Sequence, residues 1–203
     1  MFSALLVDWR GTLAVPLTEE QWIGAALGLP SRPAAPSDIA SVSACLAAAD
    51  AGRRLLTPGM DADPEMHRRV FTDVLSDAGL DPDLSEALYE VESDPLNELV
   101  ADDAPDFLAR TRASGVRIAV VSDVHVDGYA LSYEHGAEKP DLRLFEAALS
   151  MVGACPGEAL MVGDRYTHDG GATALRMAAL ILPPLTARTE RRLHLAERLL
   201  APP

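Results

Sequence analysis

Lysine is almost missing from this chain: of 17 basic residues only Lys139 is a lysine, and the rest are arginine. Positive charge as a whole is scarce, 17 basic residues against 31 acidic ones, for a formal net charge of −14. That balance excludes nucleic acid as an expected partner, because phosphate backbones are held by clustered Lys and Arg. It points instead to a surface built for solubility. Cysteine is equally sparse: Cys45 and Cys155 stand far apart, each without a second cysteine nearby. This rules out a CxxC redox pair or a zinc site of local thiolates, and both read as reduced thiols in apolar surroundings. No segment approaches the roughly 18 consecutive apolar residues that span a bilayer, so no membrane partner is expected. A basic leader is also lacking. Met1-Phe2-Ser3-Ala4-Leu5-Leu6-Val7 runs straight into Asp8, a poor secretory signal and a good buried strand, which predicts a cytoplasmic protein. There is no internal repeat.

What is present is enough chain, 203 residues, for one full core and a small second lobe. Apolar runs at 3–8, 117–123, 159–164 and 178–182, with a shorter one at 129–132, read as strands. Helical patterns fit at 102–114, 141–152, 171–177 and 187–200. Continuous apolar strands separated by helices predict an α/β fold with a covered parallel sheet. The region 15–99 differs: it is Ala-rich, carries helical segments near 18–28, 38–54, 64–78 and 83–91, and is broken by Pro30, Pro33, Pro36, Pro58 and Pro64. Prolines stop helices and stiffen linkers. The expectation is a helical lobe over 15–99 inserted into an α/β domain formed from 1–14 and 100–203.

Three predicted strands finish in polar residues: Asp8, Ser122 with Asp123, and Asp164. In an open parallel sheet the carboxyl ends of the strands line one crevice, so these residues can meet. Asp169 follows Asp164 by five positions in a loop, 163–171, whose glycines allow tight turning. Asp8, Asp164 and Asp169 could then supply oxygens to a hard divalent cation. Magnesium suits such a set, since it takes a few carboxylates together with water and a phosphate oxygen. Thr12 and Ser122 offer hydroxyls, the backbone N–H groups at 9–12 can point inward, and Lys139 brings a point charge. With Asp123 at the same strand end, Thr12, Ser122 and Lys139 are the candidate substrate-binding residues.

These motifs resemble those of the haloacid dehalogenase-like hydrolase superfamily, most of whose members are magnesium-dependent phosphatases. The matching stretches are Val7-Asp8-Trp9-Arg10-Gly11-Thr12-Leu13, Val120-Val121-Ser122-Asp123, Glu138-Lys139-Pro140-Asp141, and Val162-Gly163-Asp164 through Asp169-Gly170-Gly171-Ala172. The resemblance implies a Rossmann-like, doubly wound parallel sheet with an inserted α-helical cap domain. It implies Asp8 as nucleophile and metal ligand, Thr12 and Ser122 on the phosphoryl oxygens, Lys139 bridging nucleophile and phosphate, and Asp164 with Asp169 at magnesium.

Two departures qualify it. The family's phosphatases carry a second aspartate two residues after the nucleophile, which protonates the leaving group and activates water; here that position is Arg10. A guanidinium neither donates nor accepts a proton usefully at physiological pH, so Arg10 is read as gripping substrate or phosphate. Relatives that cleave carbon–halogen bonds lack the full magnesium loop, and those that cleave phosphonates use a cap lysine, which this chain does not have. His168, His67 and Glu65 are the stand-in bases to consider. The second departure is the span from Ser122 to Lys139, too short for the family's usual further helix. A thin layer there would expose apolar surface suited to a homodimer contact. In the cap, Trp22, Arg32, Arg53, Arg54, His67 and Arg68 could face a substrate. The expected function is phosphatase action on a small phosphorylated metabolite through an aspartyl-phosphate on Asp8. The alternative is a weak or inactive relative that binds a phosphorylated or acidic ligand.

Overall fold

The computed structural model describes residues 2–29, 34–94, 97–122 and 130–201. The chain separates into two compact units, one formed from Met1–Pro16 with Leu99–Pro203 and the other from Leu17–Glu98. Arg32 and Asp123 lie outside the described residues.

In chain order the elements are β1 (Ala4–Val7), β2 (Ala14–Val15), α1 (Glu19–Gly28), α2 (Pro36–Ala49), α3 (Pro64–Asp77), α4 (Pro82–Ser93), β3 (Leu99–Val100) and α5 (Ala104–Ala113). They continue with β4 (Arg117–Ser122), β5 (Ala130–Leu131), α6 (Ser132–His135), α7 (Leu142–Val152), β6 (Ala159–Gly163), β7 (Ala178–Ile181) and α8 (His194–Leu200).

The first unit is built on a five-stranded sheet in the order β5-β4-β1-β6-β7, parallel at every pairing. Each strand needs a crossover to reach its parallel neighbour, and the chain supplies helices for this on both faces. The alternation of the strand side chains shows the two faces directly. Ala4 and Leu6 of β1, Ala119 and Val121 of β4, and Ala159 and Met161 of β6 share one core with Phe145 and Leu149 of α7. Leu5 and Val7, with Leu160 and Val162 of β6, share the other with Phe107 of α5 and Ala196 and Leu200 of α8. All four residues of β1 are fully buried, as a strand covered on both faces must be.

Four local differences from the sequence expectation have physical reasons. Ala14–Val15 and Leu99–Val100 pair as a short antiparallel ladder, too short to carry a periodic signal. The stretch 169–175 is a 3-10 helix and not an α-helix, wound tightly from Asp169, which is drawn inward. The C-terminal helix starts at His194, not near 187. The preceding stretch spends its polar groups on the sheet domain: the Leu185 N–H bonds Gly11 O at 2.8 Å, and Arg188 O accepts from the Asp102 N–H at 2.8 Å. Cys155 is exposed, not sequestered in apolar surroundings, and both cysteines are free. α5, β4 and α7 border a groove of about 930 Å³ lined by Leu108, Ile118, Val120 and Met151.

The second unit is helical, with a core of its own that includes Ile23, Leu27, Leu46, Phe71, Leu75, Leu84 and Leu88. Its helix starts are written in the sequence. Thr18 and Gln21 form a reciprocal capping box at α1, and Asp63 and Asp81 cap α3 and α4 ahead of prolines at their first turns. No described helix is long and apolar enough to cross a membrane.

Candidate active site

The site lies at the carboxyl end of the parallel sheet. β1 delivers Asp8, whose N–H continues the ladder by donating to Val162 O at 2.8 Å. The chain then reverses in a tight turn: Trp9 O accepts from the N–H groups of Thr12, Leu13 and Ala14 at 3.2, 2.8 and 2.9 Å, and the Gly11 N–H donates to Ala14 O at 2.8 Å. Two of the backbone donors expected to face a phosphate, those of Gly11 and Thr12, are therefore consumed inside the turn. Gly11 has φ +83°, and a Cβ there would fall on the Asp164 carboxylate, so glycine is required twice over. The turn brings Thr12 back over Asp8, and its hydroxyl donates to Asp8 Oδ2 at 3.1 Å.

β6 ends at Gly163, where a Cβ would meet the Asp169 carboxyl group. The following loop folds Asp169 inward until it is fully buried. There its Oδ2 accepts the Arg165 N–H at 2.8 Å, and its Oδ1 accepts from Lys139 Nζ at 2.7 Å. Lys139 is 3% exposed and also donates to Asp8 Oδ1 at 2.5 Å. The sole lysine of the chain thus ties two buried carboxylates, one at the end of β1 and one in the loop after β6, that are far apart in sequence. Asp8, Asp164 and Asp169 each offer an oxygen, all within 4.8 Å of one another. Ser122 is buried at the carboxyl end of β4, the strand beside β1. Arg10 is half-buried on the turn and bridges to Ala14.

Electrostatically the cluster is short of positive charge, with three carboxyls around one ammonium. Burial pushes Asp8 up to about 7, with Lys139 pulling it down and Asp169 pushing it further up. Asp164 is also raised, first by burial and then by the charge of Asp169. Its Oδ1 is buried with no hydrogen-bond partner among the described residues. A buried carboxylate oxygen left unbonded is costly, and a cation is the natural partner for it. The donor set, all carboxylate oxygen, fits a hard divalent ion.

The stand-in bases fare differently. The Arg165 guanidinium can only donate, so His168 Nε2, 2.9 Å from it, accepts. The ring proton then sits on Nδ1 and goes to Thr167 Oγ1 at 2.9 Å. In that arrangement the Nε2 lone pair of His168 faces the Arg165 guanidinium. His67 is buried in the helical unit against Phe71 and Tyr89, and Glu65 stands in the first turn of α3. Most candidates for substrate contact are likewise committed inside that unit. Trp22 Nε1 donates to Leu88 O at 2.8 Å, Arg54 pairs with Asp77 at 2.8 Å, and Arg68 grips both oxygens of Glu86 over the ring of Tyr89. Arg53 has a left-handed backbone at the start of a 3-10 turn.

Sequence reading missed Arg192, whose Nη2 donates to both Gly11 O and Thr12 O at 3.2 Å. Nothing local in Arg191-Arg192 marks it, because the contact spans about 180 positions.

The family model of haloacid dehalogenase-like hydrolases matches residues 2–174. Phosphoserine phosphatase of Thermus thermophilus is 33% identical over 141 residues, 57% of this chain and 55% of that protein. Glyceraldehyde 3-phosphate phosphatase of Methanothermobacter thermautotrophicus is 38% identical over 66 residues, 32% of this chain and 29% of its own length. The chain therefore spans about half, or less, of the curated relatives it matches. Among solved structures, a phosphatase of the same superfamily from Thermococcus onnurineus superposes with TM-score 0.60 at 20% identity, covering 98% of both chains. A dehalogenase superposes with TM-score 0.64 at 17% identity, covering 100% of this chain and 98% of its own. Both show a shared fold. With the family model covering most of its length, the chain belongs to the haloacid dehalogenase-like hydrolases.

Proposed function

We propose that this haloacid dehalogenase-like hydrolase is a magnesium-dependent phosphatase of a small phosphorylated metabolite, with Asp8 as the group that takes the phosphoryl. The observation that carries this reading is the constellation of buried Asp8, Lys139 and Asp169 with half-buried Asp164, whose Oδ1 is left without a hydrogen bond among the described residues. The two phosphatases among the relatives support the substrate class.

Asp8, Asp164 and Asp169 would hold the ion, which when bound neutralises charge on the transferring phosphoryl group. Asp8 attacks phosphorus, the ester P–O bond breaks, and the leaving oxygen departs with the bonding pair. Lys139, bonded to Asp8 Oδ1, keeps that carboxylate oriented and places a positive charge beside the incoming phosphate. Thr12, donating to Asp8 Oδ2, holds the second oxygen in line. Ser122 supplies a hydroxyl from the neighbouring strand.

In the second half-reaction water attacks the phosphorus of the aspartyl-phosphate, the P–O bond to Asp8 breaks, and a base must take the water proton. Arg10 cannot do this, and the lone pair of His168 is already engaged. Hydrolysis of the phosphoenzyme is therefore the slow step. The test is leaving-group release from an activated aryl phosphate with magnesium, followed from milliseconds through many turnovers. The expected record is a burst of about one equivalent and then a slow phase, absent in Asp8→Asn. Arg10→Asp should quicken the slow phase by about 10²-fold or more. Absence of both burst and turnover in the wild type would leave a protein that binds phosphate esters without cleaving them.

A further inference from the structure

The turn that carries the nucleophile is held from outside by a segment with no part in the four motifs. Gly11 O, at the tip of that turn, accepts from the Leu185 N–H at 2.8 Å and from Arg192 Nη2 at 3.2 Å. The same Nη2 reaches Thr12 O at 3.2 Å. A guanidinium bonded to two successive carbonyls fixes the orientation of the peptide between them, because a charged donor bonds more strongly than a neutral one and its planar fork is rigid. That peptide lies between Gly11, which is packed against Asp164, and Thr12, which is bonded to Asp8. Arg192 is half-buried, and its Nη1 is buried with no hydrogen-bond partner among the described residues. Burial lowers the Arg192 pKa, opposed by the charges of Glu190, Asp164 and Asp103, and Asp164 and Asp103 each have a buried oxygen without a hydrogen-bond partner among the described residues.

We propose that Arg192 is a positioning residue: by clamping the Gly11 and Thr12 carbonyls it holds Asp8 and Thr12 in the geometry needed for phosphoryl transfer. Its catalytic consequence rests on the reading of Asp8 as the nucleophile, whereas the clamp itself does not. Arg192 touches no reacting atom. It acts through the backbone of the turn, and misplacement of a nucleophile by about 1 Å is enough to cost about 10²-fold in rate.

The test uses the full chain as wild type, Arg192→Met and Arg192→Lys, with two readouts. The first is amide hydrogen exchange, without metal, at Thr12, Leu13 and Ala14, whose N–H groups all bond Trp9 O. Exchange at these three should rise about 10-fold in Arg192→Met while the amides of β1 stay protected. The second is the burst with the aryl phosphate and magnesium. Its rate constant should fall about 10- to 100-fold in Arg192→Met with KM little changed. Arg192→Lys, which keeps a cation able to reach one carbonyl, should recover part of both. If Arg192→Met does not fold, Arg192→Lys carries the same comparison, with a smaller rise in exchange and a smaller fall in burst rate. Unchanged exchange at the three amides overturns the proposal. So does faster exchange with an unchanged burst, which would make Arg192 a structural tie and nothing more. A wild type with no burst overturns the phosphatase reading instead, and the exchange measurement then decides the clamp by itself.

Discussion

Lys139 stands 2.5 Å from Asp8 Oδ1 and 2.7 Å from Asp169 Oδ1, and all three side chains are almost wholly buried. Each carboxylate has lost its water and is held by the same ammonium. Such a pairing adds little net stability, since desolvation offsets most of the attraction, but breaking it from one side leaves buried charge uncompensated. Lys139→Met should therefore cost the metal-free protein about 3–5 kcal/mol, read from the urea midpoint and slope against wild type. A loss below about 1 kcal/mol would mean that the lysine behaves as a surface ion pair, against its burial. Arg10, half-buried on the turn after Asp8, is the opposite case: on the phosphatase reading proposed above, its substitution should alter the slow kinetic phase far more than the stability.

Elements deliver these residues because of how they end. β1 is four apolar residues buried on both faces, then Asp8, level with the end of β6 at Gly163, while β4 runs on to Ser122. α5 closes one face by placing Phe107 with no exposure in the core that contains Leu5 and Val7. Truncation there removes a large apolar surface and leaves a cavity under the strand that ends at Asp8. Phe107→Ala should lower unfolding free energy by about 3–5 kcal/mol. Chemical denaturation checks it, and a cost under about 1.5 kcal/mol would mean that the site collapses around the smaller side chain. The stretch before α8 shows the other way an element is decided. Its polar pattern permits a helix from 187, yet Leu185, Arg188 and Arg192 bond to Gly11, Asp102 and Thr12, and the helix waits until His194.

At the scale of the whole molecule there are three cores in two units. The parallel sheet has one on each of its faces, and the helical unit Leu17–Glu98 has its own. Units with separate cores unfold with less than full cooperativity, so the calorimetric enthalpy should exceed the van't Hoff value. Magnesium at about 100 times its dissociation constant should add about 2.7 kcal/mol, and should do so in the transition of the α/β unit alone, because the three carboxylates all belong to it. A single transition with equal enthalpies, or a shift of both transitions, would contradict this separation.

The sequence by itself determined the α/β class, the parallel sheet and the family, because apolar runs, helix caps and strand-end carboxylates are properties of short stretches read one at a time. The residue types gathered at the strand ends were legible for the same reason. What only the tertiary structure decided was distance and competition. Lys139 meets Asp8 across 131 positions and Arg192 meets Gly11 across 181. The N–H groups of Gly11 and Thr12 go to their own turn, and Trp22, Arg54 and Arg68 spend their donors inside the helical unit. A side chain's partner depends on which surfaces pack together, and no window of sequence contains both surfaces.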